Sequence, residues 1–217
     1  MALKDVNGFN PLEVFFHPKK TVEAALEFPN IYTAVALILA PWVLGVIAFL
    51  AFGLNASFAS ISARIAIAVG VFFFQAVLIY LVAKGFEGKG KNLFEGVVSA
   101  FSLTQMIPIV LTIFMFLALL FNPSIAGFVK EWAAGDMLTI DLVDNTFNAL
   151  ASNIISGFIF LLIGAILVIY LGFLVLYLNY LVIKQSTKAS VFVSIVLMLV
   201  VFIISSLVQQ VLEGLVF

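Results

Sequence analysis

Two sets of side chains in this sequence have types and spacing that could do chemistry. The first is a set of lysines, Lys19, Lys20, Lys84, Lys89, Lys91, Lys184 and Lys188, which fall in three short segments between long uncharged stretches. Ammonium groups beside apolar runs attract anionic lipid headgroups, at about 1 kcal/mol per Lys close to a charged membrane, or the acidic surface of a protein partner. The second set is uncharged: Gln75, Tyr80, Gln105 and Asn179 lie within the apolar stretches. There they can bond to one another, satisfy backbone groups, or line a path for a small solute or ion. Pro108 frees the carbonyl of Thr104 and Pro41 that of Leu37, so backbone partners are available to such side chains without any ligand. Interhelical glue is therefore the simpler reading of this second set. Gln105, Tyr80 and Asn179 are expected at similar depth.

Other chemistries lack their residues. The chain has no Cys, which removes disulfides, thiolate catalysis and Cys-held metals, and its one His, His17, is too few for a histidine-built metal or haem site. No cofactor is expected. Residues 84–91 are Gly-rich and basic but lack the spacing of a phosphate-binding loop. Glu131, Asp136, Asp141 and Asp144 share a long loop without calcium-loop spacing, and they read as a solvated face. Ser, His and Asp residues form no catalytic constellation, so an enzyme is not expected, and no nucleic-acid motif is present.

The elements that must position these groups follow from composition. Hydrophobic residues make up 65% of the 217, and charged residues only 10%, against about 25% in soluble domains. About twenty apolar residues span the hydrocarbon slab as a helix, and continuous rather than alternating runs point to helices, not a barrel. Five spans are predicted, at about 31–53, 65–83, 96–121, 154–183 and 191–212. Residues 1–30 form an amphipathic cytoplasmic segment, and 31–217 a single transmembrane domain. The third span should kink at Pro108 and stop at Asn122-Pro123. The fourth is too long to fit by tilt alone, so it is expected to project into the cytoplasmic headgroups or to bend near its glycines. Gly157, Gly164 and Gly172 keep to one face and suggest close helix packing, as Ala66 and Gly70 do more weakly.

Charge sets the orientation. Lys4, Lys19, Lys20, Lys84, Lys89, Lys91, Lys184 and Lys188 fall on one side of a five-span layout, and Arg64 and Lys130 on the other. The positive-inside rule then places the N-terminus in the cytoplasm and the C-terminus outside. Tyr32, Tyr80, Tyr177 and Tyr180 lie at the cytoplasmic ends, where amphipathic rings prefer headgroup depth. The first span is too long, and follows too many charged residues, for a cleaved signal peptide. No ionisable residue lies deep in a span, which argues against proton-coupled transport. Asn10-Pro11 and Pro18 are helix starts, and residues 18–27 carry Val22, Ala25 and Leu26 on one face. That helix is expected to lie along the cytoplasmic interface. A second interfacial helix is expected in the long outer loop, from Ser124 to about Gly135.

The leader Asn10-Pro-Leu-Glu-Val-Phe-Phe-His-Pro-Lys-Lys-Thr21 resembles that of prokaryotic members of the Yip1 domain family. Gly88-Lys-Gly-Lys-Asn-Leu-Phe94, the third helix reaching Ile107-Pro108, and the stretch from Tyr180 through Lys184 to Lys188-Ala189 are similar as well. The likeness runs over about residues 10 to 212. It implies a compact five-helix bundle in a prokaryotic cell membrane, a cytoplasmic N-terminus and no catalytic residue. Eukaryotic relatives are associated with vesicle traffic and small GTPases of the Rab type; this chain lacks their long cytoplasmic extension, which puts GTPase binding in doubt. The function expected is a non-enzymatic, membrane-organising or partner-binding module with a basic cytoplasmic face, its partners being membrane lipids and a membrane or cytoplasmic protein. The rival is a small-solute or ion permeation protein, its path lined by Gln75, Gln105 and Asn179.

Overall fold

The computed structural model describes residues 9–51, 58–86, 92–121 and 154–216. Every regular element among them is helical: α1 (Pro18–Glu27), α2 (Ile31–Ala51), α3 (Phe58–Gly85), α4 (Leu93–Ser102), α5 (Met106–Phe121), α6 (Ile154–Thr187) and α7 (Val191–Val216). Five stretches are long and apolar enough to cross a membrane, with α4 and α5 acting together as one of them. The chain is a polytopic helical membrane protein. The predicted spans match these helices to within a few residues, except that α3 starts at Phe58, seven residues before the predicted 65. The outer-loop helix predicted from Ser124 lies outside the described residues.

The third span is interrupted just before Pro108. A short 3-10 turn, Leu103–Gln105, joins α4 to α5, and Pro108 sits in the first turn of α5, where its missing N–H disrupts no interior bond. The break gives α4 an unexpected role. Its residues 96 to 102 are buried without exception, because α1, α2, α3 and α6 all pack around it. A helix enclosed on every side cannot show the one-sided pattern of a lipid-facing span, and only its hydrophobicity was legible.

The N-terminal segment is built by its prolines. Asn10 Oδ1 accepts the Leu12 N–H at 3.1 Å and starts a 3-10 turn, Pro11–Phe15; Pro18 then opens α1. The helix forms where predicted, but its apolar face meets protein. Val22 and Ala25 are fully buried among α4 and α6, and Leu26 touches α4 at Gly96, where a Cβ would stand 2.8 Å from the Leu26 carbonyl oxygen. Two bonds set its direction. The Tyr170 hydroxyl donates to the Phe15 carbonyl at 3.2 Å, and Gln185 Nε2 donates to Glu23 Oε1 at 3.0 Å. Both acceptors lie on the N-terminal segment and both donors on α6, so residues 15–23 lie alongside that helix between Tyr170 and Gln185. The apolar face of this helix is therefore covered by protein: Val22 and Ala25 gain more complete burial against helices than headgroups could offer.

The core joins this segment to the lysine-bearing half of the bundle: Val14, Val22, Ile79, Val97, Val98, Leu103, Leu178, Val182 and Ile183 are all within 1% of complete burial. Elsewhere the helices turn apolar stripes outward, such as Tyr32, Val35, Leu39, Val43, Ile47 and Leu50 on α2, as lipid-facing surfaces do. On α7 the inward stripe includes Ser194, Val201 and Ser205, small enough for α3 and α6 to approach. The glycine pattern was only partly a packing signal. A Cβ on Gly164 would meet the Phe114 ring of α5 at 3.3 Å, whereas Gly172 and Gly70 face open space. Residue 157 lies where side-chain surroundings are not described.

Candidate functional site

α6 is a single helix of 34 residues, about 51 Å long, and it carries two of the lysines to the end of the bundle. Its last turn is closed internally: the Thr187 and Ser186 hydroxyls both donate to the Ile183 carbonyl, at 2.7 and 3.1 Å. Lys188 follows in the left-handed region with φ 54, its N–H donating to the Lys184 carbonyl at 2.9 Å. Glycine is the usual residue there, and a side chain at such a φ costs about 1 to 2 kcal/mol. The Thr187 hydroxyl then accepts the Ala189 N–H, and Ser190 starts α7. The result is a rigid hairpin with Lys188 exposed at its tip.

Along the same face of α6 the side chains grade in polarity. Phe173 and Leu176 are exposed, at 70% and 50%. Tyr177 and Tyr180 follow, stacked with ring centroids 6.3 Å apart. The half-buried Lys184 places its ammonium 5.5 Å from the Tyr180 ring centroid. Among the described residues no carboxylate lies within ion-pair distance of Lys184.

The remaining lysines sit around this end. Lys19 pairs loosely with Glu23 at 3.8 Å, the same carboxylate that accepts from Gln185. Lys20 and Lys84 are exposed. Lys89 and Lys91 lie outside the described residues. The structure thus brings Lys19, Lys184 and Lys188 to one neighbourhood through the α1 to α6 contact, which sequence reasoning had no means of foreseeing, since Glu23 and Gln185 are 162 residues apart.

The polar set is dispersed. Phe72 stacks on Phe101 at 4.9 Å and Tyr80 meets Phe94 edge-on at 5.5 Å, which fixes α3 antiparallel to α4. Gln75 lies three residues from Phe72 toward Tyr80, whereas Gln105 lies four residues beyond Phe101 in the opposite sense. The two amides are therefore about 10 Å apart along the bundle, and Tyr80 about 18 Å from Gln105. The expected common depth is corrected by this register. Gln75 and Gln105 are half-buried, and no hydrogen bond joins any two of the four residues among those described.

Asn179 donates instead to the Val175 carbonyl of its own helix, at 2.9 Å. Buried hydroxyls do the same: Ser102 to Ser99, Thr104 to Phe101, Ser194 to Ser190 and Ser205 to Val201, at 2.7 to 2.9 Å. Back-bonding of this kind satisfies a side chain in lipid with no ligand at all. One polar contact between elements stands out. Asn30, which caps α2 by accepting the Thr33 N–H, donates its own N–H to the buried Ser99 hydroxyl at 3.1 Å.

Among the described residues no group of His, Cys, Asp or Glu is arranged to hold a metal ion. Comparison of the chain with protein-family models, with curated proteins and with solved structures finds no match.

Proposed function

We propose that this protein is a non-enzymatic, Yip1-type integral membrane protein of a prokaryotic cell membrane that organises lipids or holds a protein partner at its cytoplasmic face. One observation carries the reading: contacts between separate elements hold the lysine-bearing end together. There α1, α4 and α6 are tied by the Leu26 to Gly96 contact and by the Asn30 to Ser99 and Glu23 to Gln185 bonds, and they hold Lys19, Lys20, Lys184 and Lys188 at a fixed end. A preorganised charged face loses less entropy on binding than one on mobile loops. The polar side chains that a permeation path would need are spread along the bundle or bonded to their own helices, which favours this reading over the transport alternative.

The orientation proposed with it has the N-terminus in the cytoplasm and the C-terminus outside. The test is recovery of crosslinked neighbours from native membranes, comparing the natural chain with one in which Lys19, Lys20, Lys84, Lys184 and Lys188 are all changed to Glu. Loss of the recovered protein and anionic lipid is expected; an unchanged set would defeat the proposal. Solute flux into proteoliposomes that disappears with Gln105→Leu would favour the alternative.

A further inference from the structure

We propose that the exposed face of α6 from Phe173 to Lys188 is a binding site for one anionic phospholipid, with Lys184 and Lys188 clasping its phosphate. The inference rests on the basic-face reading above and narrows it to one site and one ligand class. Three observations meet here. The polarity of the face follows a lipid leaflet in order: apolar Phe173 and Leu176 where acyl chains run, the stacked Tyr177 and Tyr180 at glycerol depth, and two ammonium groups beyond. From Leu176 to Lys184 the helix rises about 12 Å, enough to pass from acyl chain to phosphate.

Lys184 is half-buried and its positive charge is met only by the face of Tyr180 among the described residues, since Glu23, the carboxylate that reaches α6, is engaged by Lys19 and Gln185. An external anion is what such a cation lacks. Lys188, four residues on, is held at a backbone conformation that disfavours any side chain, yet the position carries a long cationic one, aimed from a hairpin stiffened by Thr187 and Ser190. Strain retained at an exposed position points to use of the side chain. A phosphate diester has oxygens enough to accept from both ammonium groups, which stand four residues apart across the end of α6, and the tyrosine pair gives its glycerol a flat support.

The full chain in detergent, titrated with phosphatidylglycerol and with phosphatidylcholine, tests this by counting retained lipid in native mass spectrometry. The natural protein should retain one phosphatidylglycerol in preference to phosphatidylcholine. Lys184→Gln with Lys188→Gln should weaken that retention by about 30-fold, as expected for two lysine contacts, while Lys184→Arg with Lys188→Arg should restore most of it. Lys19→Gln with Lys20→Gln removes equal charge from the neighbouring helix of the same basic face and should weaken retention several-fold less than the Lys184 and Lys188 pair does. Equal losses in the two Gln pairs would overturn the clasp and leave the diffuse basic face standing. No preference for phosphatidylglycerol in the natural protein would remove the clasp together with the lipid arm of the face, while the crosslinking test of a protein partner would stand apart. Displacement of the lipid by inorganic phosphate at equal concentration would overturn the lipid assignment, because the apolar half of the face would then add nothing.

Discussion

Gly96 and Leu26 meet backbone to backbone: a Cβ on Gly96 would stand 2.8 Å from the Leu26 carbonyl oxygen and 3.4 Å from its Cα. No rotamer relieves a clash with main chain, so α1 must lift from α4 if the glycine is replaced. Gly96→Ala is therefore expected to cost about 1 to 3 kcal/mol, as overpacking does, and to speed amide exchange across residues 18–27. Gly45→Ala, Gly70→Ala and Gly172→Ala, where nothing lies within 4 Å, should be neutral or stabilise by up to about 1 kcal/mol through helix propensity. Thermal unfolding in detergent with hydrogen exchange separates the two cases; equal behaviour of all four would refute the close approach.

Asn30 and Ser99 make a second joint to α4, this one from the start of α2. Ser99→Ala leaves the Asn30 N–H without its acceptor at a part-buried position, at an expected cost of about 1 to 3 kcal/mol. Asn30→Ala removes a different bond, the cap on Thr33 N–H, and should cost about 1 kcal/mol while α1 stays docked. Denaturant titration of the two single variants checks the order.

Asn179 is bonded to Val175 within one helix, so Asn179→Leu should change stability by no more than about 1 kcal/mol. Helix association and lipid retention should be unaltered. A large loss in either would mean that the amide reaches across the bundle.

Pro108 follows the 3-10 turn that separates α4 from α5. Pro108→Ala restores an N–H that can reach the Thr104 carbonyl and should draw Leu103–Gln105 toward α-helical geometry. Spin labels at positions 95 and 113, introduced together into a chain that has no cysteine of its own, should then report a changed and narrower distance distribution. An identical distribution would assign the break to packing around α4 alone.

Hydropathy made the five spans readable because lipid solubility is a property of each segment by itself. It could not distinguish a helix solvated by lipid from one enclosed by its neighbours, and so α4, buried from Gly96 to Ser102, looked like any other apolar stretch. For the same reason the sequence left open what covers α1: an apolar stripe such as Val22 and Ala25 does not specify whether lipid or protein lies against it. Depth was misjudged where it depended on register, which the Phe72 to Phe101 and Tyr80 to Phe94 contacts set and no local pattern encodes. The lysines were visible as a set, but their grouping around Glu23 and Gln185 requires the two ends of the chain to meet.

That meeting dictates an order of assembly. Phe15 and Glu23 bond to Tyr170 and Gln185, partners that follow them by 155 and 162 residues. At roughly 5 to 20 residues per second, ribosomes deliver those partners on the order of 10 to 30 s later. Through that interval the first helix has nowhere native to rest on α6, so its apolar stripe is open to membrane or to insertion factors while three further spans emerge. Closure of the lysine-bearing end is consequently a late event of biogenesis, and a chain truncated before residue 170 would hold α1 against α4 alone, without either of its bonds to α6.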